Sequence, residues 1–363
     1  MSLWYIILFI LNYRKGFIMK RPTLHKLIFS ILLFAISFLA LFTSHKSSAF
    51  ADWYSSTIYP LFVSSIGRFF GIFQFSVSEI GLYIFVILLF LSLVRMLISS
   101  IYKMYAKKKN PAWLGYGSSL LLLCGCLFTI YTFFCGINYG HTSFAEKYHL
   151  ESGQYTQAEL TSLCNELTDQ LNALSDSLDR DSDGLADMGK DLQDRARAAM
   201  FSLGAAYPEL SGYYPQPKGL LFPAFLSVQN LSGIYSPFTI CHELSHLRGF
   251  MQEEEANFIG FLACVNADDT AFNYSGYLLG WIYATNELYE ADYDTFEEIY
   301  NRLSDNVKAD LSANSSFWKR YDSKVAEVSG QINDHYLKAN GQSNGIKSYD
   351  RMVDLMITWF RSK

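Results

Sequence analysis

The run His242-Glu243-Leu244-Ser245-His246 sets two imidazoles four residues apart, with a carboxylate directly after the first. On a helix this spacing puts both rings on one face about a turn apart, where they can share a metal ion. Glu243 falls on the adjacent face. That offset suits a general base, which must reach a metal-activated water without taking a coordination position. A catalytic zinc ordinarily has three protein ligands and keeps a fourth position for water, so a third donor is needed. Beyond Gly249, where a helix can end in a left-handed turn, come Glu253, Glu254 and Glu255. They open the apolar run Phe258-Ile-Gly-Phe-Leu262, which reads as a second helix. On that helix Glu253 and Asn257 share a face, Glu253 as the third metal ligand and Asn257 as a residue that steadies a ligand from behind. Glu255 is the next candidate and Glu254 is expected on the solvent face. All three acids also suit a helix N-terminus on electrostatic grounds alone. Tyr274, Tyr277 and His335 are the groups available to steady an oxyanion, although most of the 25 Tyr must serve packing. Cys241 adjoins His242 but points about 100° around the helix, away from the donors.

The elements that must position these groups include several suited to lipid. Of the 363 residues, 50% are hydrophobic and 17% charged, below the roughly 25% charge of a soluble domain. A net charge of -5 and a pI near 5.8 leave no basic footprint for nucleic acid. Three apolar stretches, about 27–44, 78–99 and 113–137, approach the roughly 20 residues that cross a bilayer. Arg14, Lys15, Lys20, Arg21 and Lys26 precede the first, and Arg95, Lys103, Lys107, Lys108 and Lys109 crowd the connection between the second and third. Both clusters are expected in the cytoplasm. The expected organisation is a cytoplasmic N-terminus (1–26), a membrane region (27–140) and an extracytoplasmic domain (141–363). Met19 to Ala51 also fits a cleavable signal, an alternative that leaves the later topology unchanged. Met1 to Leu11 is too short to span. Six cysteines divide between the third span (Cys124, Cys126, Cys135) and the later domain (Cys164, Cys241, Cys264), as buried thiols or with a Cys241–Cys264 bridge.

Within the last domain, Leu160, Leu163, Leu167, Leu171, Leu174 and Leu178 predict an amphipathic helix that starts with a Thr156/Glu159 capping box. Asp179 to Asp187 resembles the first half of a calcium loop, but Lys190 stands where the bidentate Glu belongs, so a solvated connection is expected. Pro208, Pro215, Pro217, Pro223 and Pro237 predict irregular or extended chain before the His motif, either a packed loop or an edge against which an extended peptide can pair. Helix is predicted again from Phe238 to Ala267, over Tyr277 to Glu290 and Tyr293 to Leu303, and from Tyr349 to Phe360. The fold class is therefore mainly α, with three transmembrane helices and a mostly helical domain.

The segment from Cys241 to Phe258 resembles the signature of an uncharacterised bacterial membrane family, domain of unknown function 3810, and is also similar to zincin peptidases. Gly233-Ile-Tyr-Ser-Pro-Phe-Thr239, Tyr274-Ser-Gly-Tyr277, Tyr336-Leu-Lys-Ala-Asn-Gly341 and Ser348-Tyr349 resemble the same family. The ligand Glu of a gluzincin Glu-x-x-Ala-Asp motif matches Glu253, and its Asp matches Asn257. The interval from His246 to Glu253 is shorter than gluzincins show and approaches a metzincin spacing, yet the third metzincin His is Gln252 here. The resemblance implies a Zn2+ metallopeptidase in the cell membrane, acting on a peptide or protein outside the cytoplasm. A metal-stabilised, non-catalytic membrane sensor or assembly factor is the alternative, and a metal-free membrane structural protein a third. The expected partners are the lipid bilayer and a polypeptide substrate; no feature bears on oligomeric state.

Overall fold

A computed structural model describes residues 21–106, 112–150, 155–221, 236–319 and 351–362, with single positions 331, 335, 338 and 340. Met1 to Leu11, Lys107 to Lys109, residues 222–235, Tyr336 and Ser348-Tyr349 lie outside the described residues. The first long helix, α1 (Arg21–Lys46), is followed by α2 (Ser48–Trp53), a π-helical turn (Tyr54–Ile58) and α3 (Tyr59–Gly71). Then come α4 (Val77–Tyr105) and α5 (Ala112–Phe134). Of these, α1, α4 and α5 are long and apolar enough to cross a membrane. The predicted third span overruns its helix, because Cys135 leaves helical backbone at φ -140° and Gly136–Gly140 forms a 3-10 turn.

The chain divides into two compact units. Residues 1–42 and 81–134 make the first. Small and polar residues join its helices: Gly125 faces Leu33 and Phe34, and Ser37 meets Thr129 at 3.0 Å. Phe34, Phe38 and Phe128 pack together, with centroids 4.9 Å apart for the last two. Ile28, Phe42, Ile84, Phe90 and Ile98 remain exposed, an outward face suited to lipid.

Residues 43–80 and 135–363 make the second unit. After the short α6 (Phe144–Lys147), α7 (Gln157–Ser175) begins with the predicted capping box, the Thr156 hydroxyl and Glu159 carboxylate each accepting from the other's backbone. Next are α8 (Leu192–Leu203), α9 (Ser236–His246), α10 (Glu253–Val265) and α11 (Thr270–Ala291). Asp269 caps α11 by accepting from Ala271 and Phe272, so this helix starts well before the predicted Tyr277. α12 (Tyr293–Asn301), α13 (Asp305–Lys319) and α14 (Arg351–Arg361) complete the fold, with no strand among the described residues. Phe258, Phe261, Phe272, Leu278 and Trp281 fill the core where α7, α9, α10, α11 and α14 meet. At roughly 25 cal/mol per Å2 of apolar surface, burying side chains of this size stabilises the unit by about 1.5–3 kcal/mol each before entropy is counted.

The calcium-like loop closes on itself. Asp181 Oδ1 accepts from the Asp183 and Leu185 amides, both at 2.9 Å, while Asp179, Asp181, Asp183 and Asp187 stay exposed. Arg180 instead turns inward to the fully buried Asp310 at 2.9 Å.

Candidate metal centre

His242 and His246 occupy the last turns of α9, and Glu253 opens α10. Gly249 takes φ +97°, a left-handed conformation open to glycine, and the chain reverses there between the two helices. Gly260 brings the helices together: a Cβ on it would stand 3.1 Å from the His242 backbone nitrogen. The two Nε2 atoms, one turn apart on α9, lie 3.2 Å from each other, and the packing of α10 sets Glu253 oxygens 3.4 Å from His242 and 3.8 Å from His246. These three side chains are 12–22% exposed, enclosed but reachable.

Donors about 2.0–2.2 Å from one ion at tetrahedral angles stand roughly 3.3–3.6 Å from each other. The measured separations bracket that range, so the donor set fits a zinc-sized ion. His246 Nδ1 lies 2.7 Å from the Phe250 carbonyl, which can only accept, so Nδ1 carries the hydrogen and Nε2 offers its lone pair to the centre. The Nδ1 of His242 is buried and has no hydrogen-bond partner among the described residues.

Burial opposes charging His242, but its hydrogen bond to Glu253, the charges of Glu253 and Glu243, and the Asn257 side chain together raise its pKa. Burial and the neighbouring His242 lower that of His246. Asn257 in turn donates to the Tyr283 hydroxyl at 3.4 Å. The Tyr59 hydroxyl, from the start of α3, donates to the His246 carbonyl at 3.3 Å.

Glu243 is exposed and, with His246, lines a cleft of about 830 Å3. One wall is α3, at Gly67 and Phe70, and the other is the irregular stretch Pro215–Leu220. Gly67 permits their close approach, since a Cβ there would meet Pro215 at 2.7 Å. Leu221 donates to Glu79 at 2.7 Å, whereas the backbone of residues 216–220 makes no hydrogen bond among the described residues.

The structure corrects the expectation that Glu254 faces solvent. It is buried and meets Arg351 at 3.5 Å. Glu255 is also buried and accepts from the Phe144 amide, away from the donors. None of the three oxyanion candidates lines the cleft. Tyr274 is buried and donates to Asp310 at 2.5 Å, Tyr277 packs edge-on to Phe261, and His335 is exposed. Sequence reasoning missed Phe250, Tyr59 and Gly260. The first acts through its carbonyl, which no side-chain motif reports, and the other two act through contacts between distant residues.

No curated protein and no solved structure matches the chain. A family model described as Protein of unknown function (DUF3810) matches residues 54–240 and 236–357. These two segments take in α3, the cleft and all three donors, and on that coverage the chain belongs to the DUF3810 family.

Proposed function

We propose that this protein is an integral-membrane zinc metallopeptidase that hydrolyses peptide bonds outside the cytoplasm. The observation that carries the reading is the convergence of His242, His246 and Glu253 at 3.2–3.8 Å beside a cleft that Glu243 lines. Zinc held by these three residues would polarise the scissile carbonyl and make a water acidic near neutral pH. Glu243 takes the proton from that water and delivers it to the leaving amine. The Phe250 carbonyl holds His246 in the tautomer that presents Nε2, and the Asn257 side chain favours the charged form of His242. The unpaired backbone of residues 216–220 offers hydrogen bonds to an extended polypeptide laid along the cleft. The large cleft beside the donors favours catalysis over a metal that only stabilises the fold.

The purified full chain in detergent should hold about one zinc per molecule and cleave a quenched-fluorescent peptide library. Glu243→Gln should keep the zinc and lose about 10²–10⁴-fold in rate, while His242→Ala with His246→Ala should lose both. Full zinc content in the double variant would end the metal assignment. Cleavage unaffected by Glu243→Gln, or zinc without any cleavage, would favour the sensor or assembly factor.

A further inference from the structure

The membrane-spanning unit has a charge imbalance. Residues 1–42 and 81–134 contain no Asp or Glu. Yet Lys26, Arg95 and Lys103, from α1 and α4, line one cavity of about 490 Å3 that α5 completes. Lys26 donates to Ser119 at 2.7 Å, and no carboxylate in this unit can pair with Arg95 or Lys103. Positive charge at the cytoplasmic ends of spans is general, but two features here exceed it. The three cations converge on a single cavity. Moreover, Arg95 falls inside the apolar stretch 78–99, about 6 Å of helix before its end at 1.5 Å per residue, so its charge sits at the edge of the span rather than in open solvent. Three cations around one cavity at that level, with no acidic residue in the unit to neutralise them, mark a candidate ligand site.

The rest of the lining indicates the ligand. Ser99 and Tyr116 add hydroxyl groups, while Leu89 and Leu120 supply apolar wall. Both leucines are also exposed on the outer face of the helices, so the cavity continues onto surface suited to acyl chains. We propose that this cavity binds the phosphate of an anionic phospholipid, with Lys26, Arg95 and Lys103 as counter-charges and the lipid chains along Leu89 and Leu120. The site is independent of the metal centre.

The full chain, purified in detergent, would be titrated with phosphatidylglycerol, phosphatidylcholine or inorganic phosphate and read by native mass spectrometry. Phosphatidylglycerol should be retained at least tenfold more tightly than phosphatidylcholine. Arg95→Gln with Lys103→Gln should remove that preference, and Arg95→Lys, which keeps the charge, should preserve most of it. Lys103→Gln alone, nearer the helix end, should weaken retention several-fold even if the double variant fails to fold. Equal retention of both lipids, or a Lys103→Gln chain that binds as the wild type does, would overturn the proposal. Displacement of the lipid by millimolar inorganic phosphate would assign the cavity to a soluble phosphate and overturn the lipid source.

Discussion

Glu253, Glu254 and Glu255 are adjacent in the chain, yet about 100° of helical rotation between neighbours sends each carboxylate to a different environment. Glu253 faces the two histidines, Glu254 meets Arg351, and Glu255 accepts from Phe144. Replacement of each should therefore give a separate result. Glu253→Ala should strip zinc. Glu254→Ala should keep zinc and cost about 1 kcal/mol or less, because the Arg351 side chain is 57% exposed and regains water when its partner is lost. Burial pushes the Glu255 carboxyl up to about 7, against the nearby His141 and the Phe144 amide. Glu255→Gln keeps an acceptor for that amide and removes a costly buried charge, so Tm should hold or rise. Zinc stoichiometry and thermal unfolding on the three variants check this, and zinc lost from Glu255→Gln but not Glu253→Ala would reverse the assignment.

The turn between α9 and α10 gives Gly249 two duties: it ends one helix and aims the Phe250 carbonyl at His246. Space does not restrict it, since an added Cβ would be 3.7 Å from its nearest neighbour. The restriction is backbone conformation, and Gly249→Ala should cost about 1–2 kcal/mol, or roughly 2–8 °C in Tm, and should weaken zinc binding. An unchanged Tm would show that the turn relaxes freely. Features such as this turn, the i, i+4 histidines and the Thr156/Glu159 capping box were legible because each depends on residues within one turn of helix. The start of α11 was less so, because its Asp269 cap lies ahead of the periodic residues used to find the helix. The connector helices α2 and α3 were not legible at all. Short cap signals are present, Ser47 accepting from the Phe50 amide and Pro60 in the first turn of α3, but the segment is rich in Phe and Ser without a clear polar face, and its packing partners lie far along the chain.

Chain parity relates the connector to the later helices. If α1, α4 and α5 each cross a bilayer, residues 47–76 and everything after α5 lie on one side, and these are the pieces that pack into one unit. Asp52 accepts from Thr142, Ser55 donates to Asn138, and Glu79 accepts from Leu221, so the two pieces are tied at several points. The basic clusters place that side outside the cytoplasm on the proposed topology. A reporter active only outside the cytoplasm should work when fused after Lys363 and fail when fused near Lys108. The opposite pattern would put the centre in the cytoplasm and change the substrate class. The spans themselves were legible as long apolar runs, but the joining of residues 43–80 to the last domain depends on contacts that periodicity does not report.

The absent side chain of Gly260 also bears on which ion the centre would accept. A Cβ on Gly260 would stand only 3.1 Å from the His242 backbone nitrogen, so α10 packs on α9 as closely as glycine allows, and that spacing bears on the radius of anything held between Glu253 and the histidines. Bonds to calcium, at about 2.3–2.6 Å, are longer than those to zinc and would need the helices further apart. A methyl group at position 260 would press on the His242 backbone and move it by a few tenths of an ångström, so a hydrogen atom beside one ligand's main chain bears on the size of cation the donors can grip.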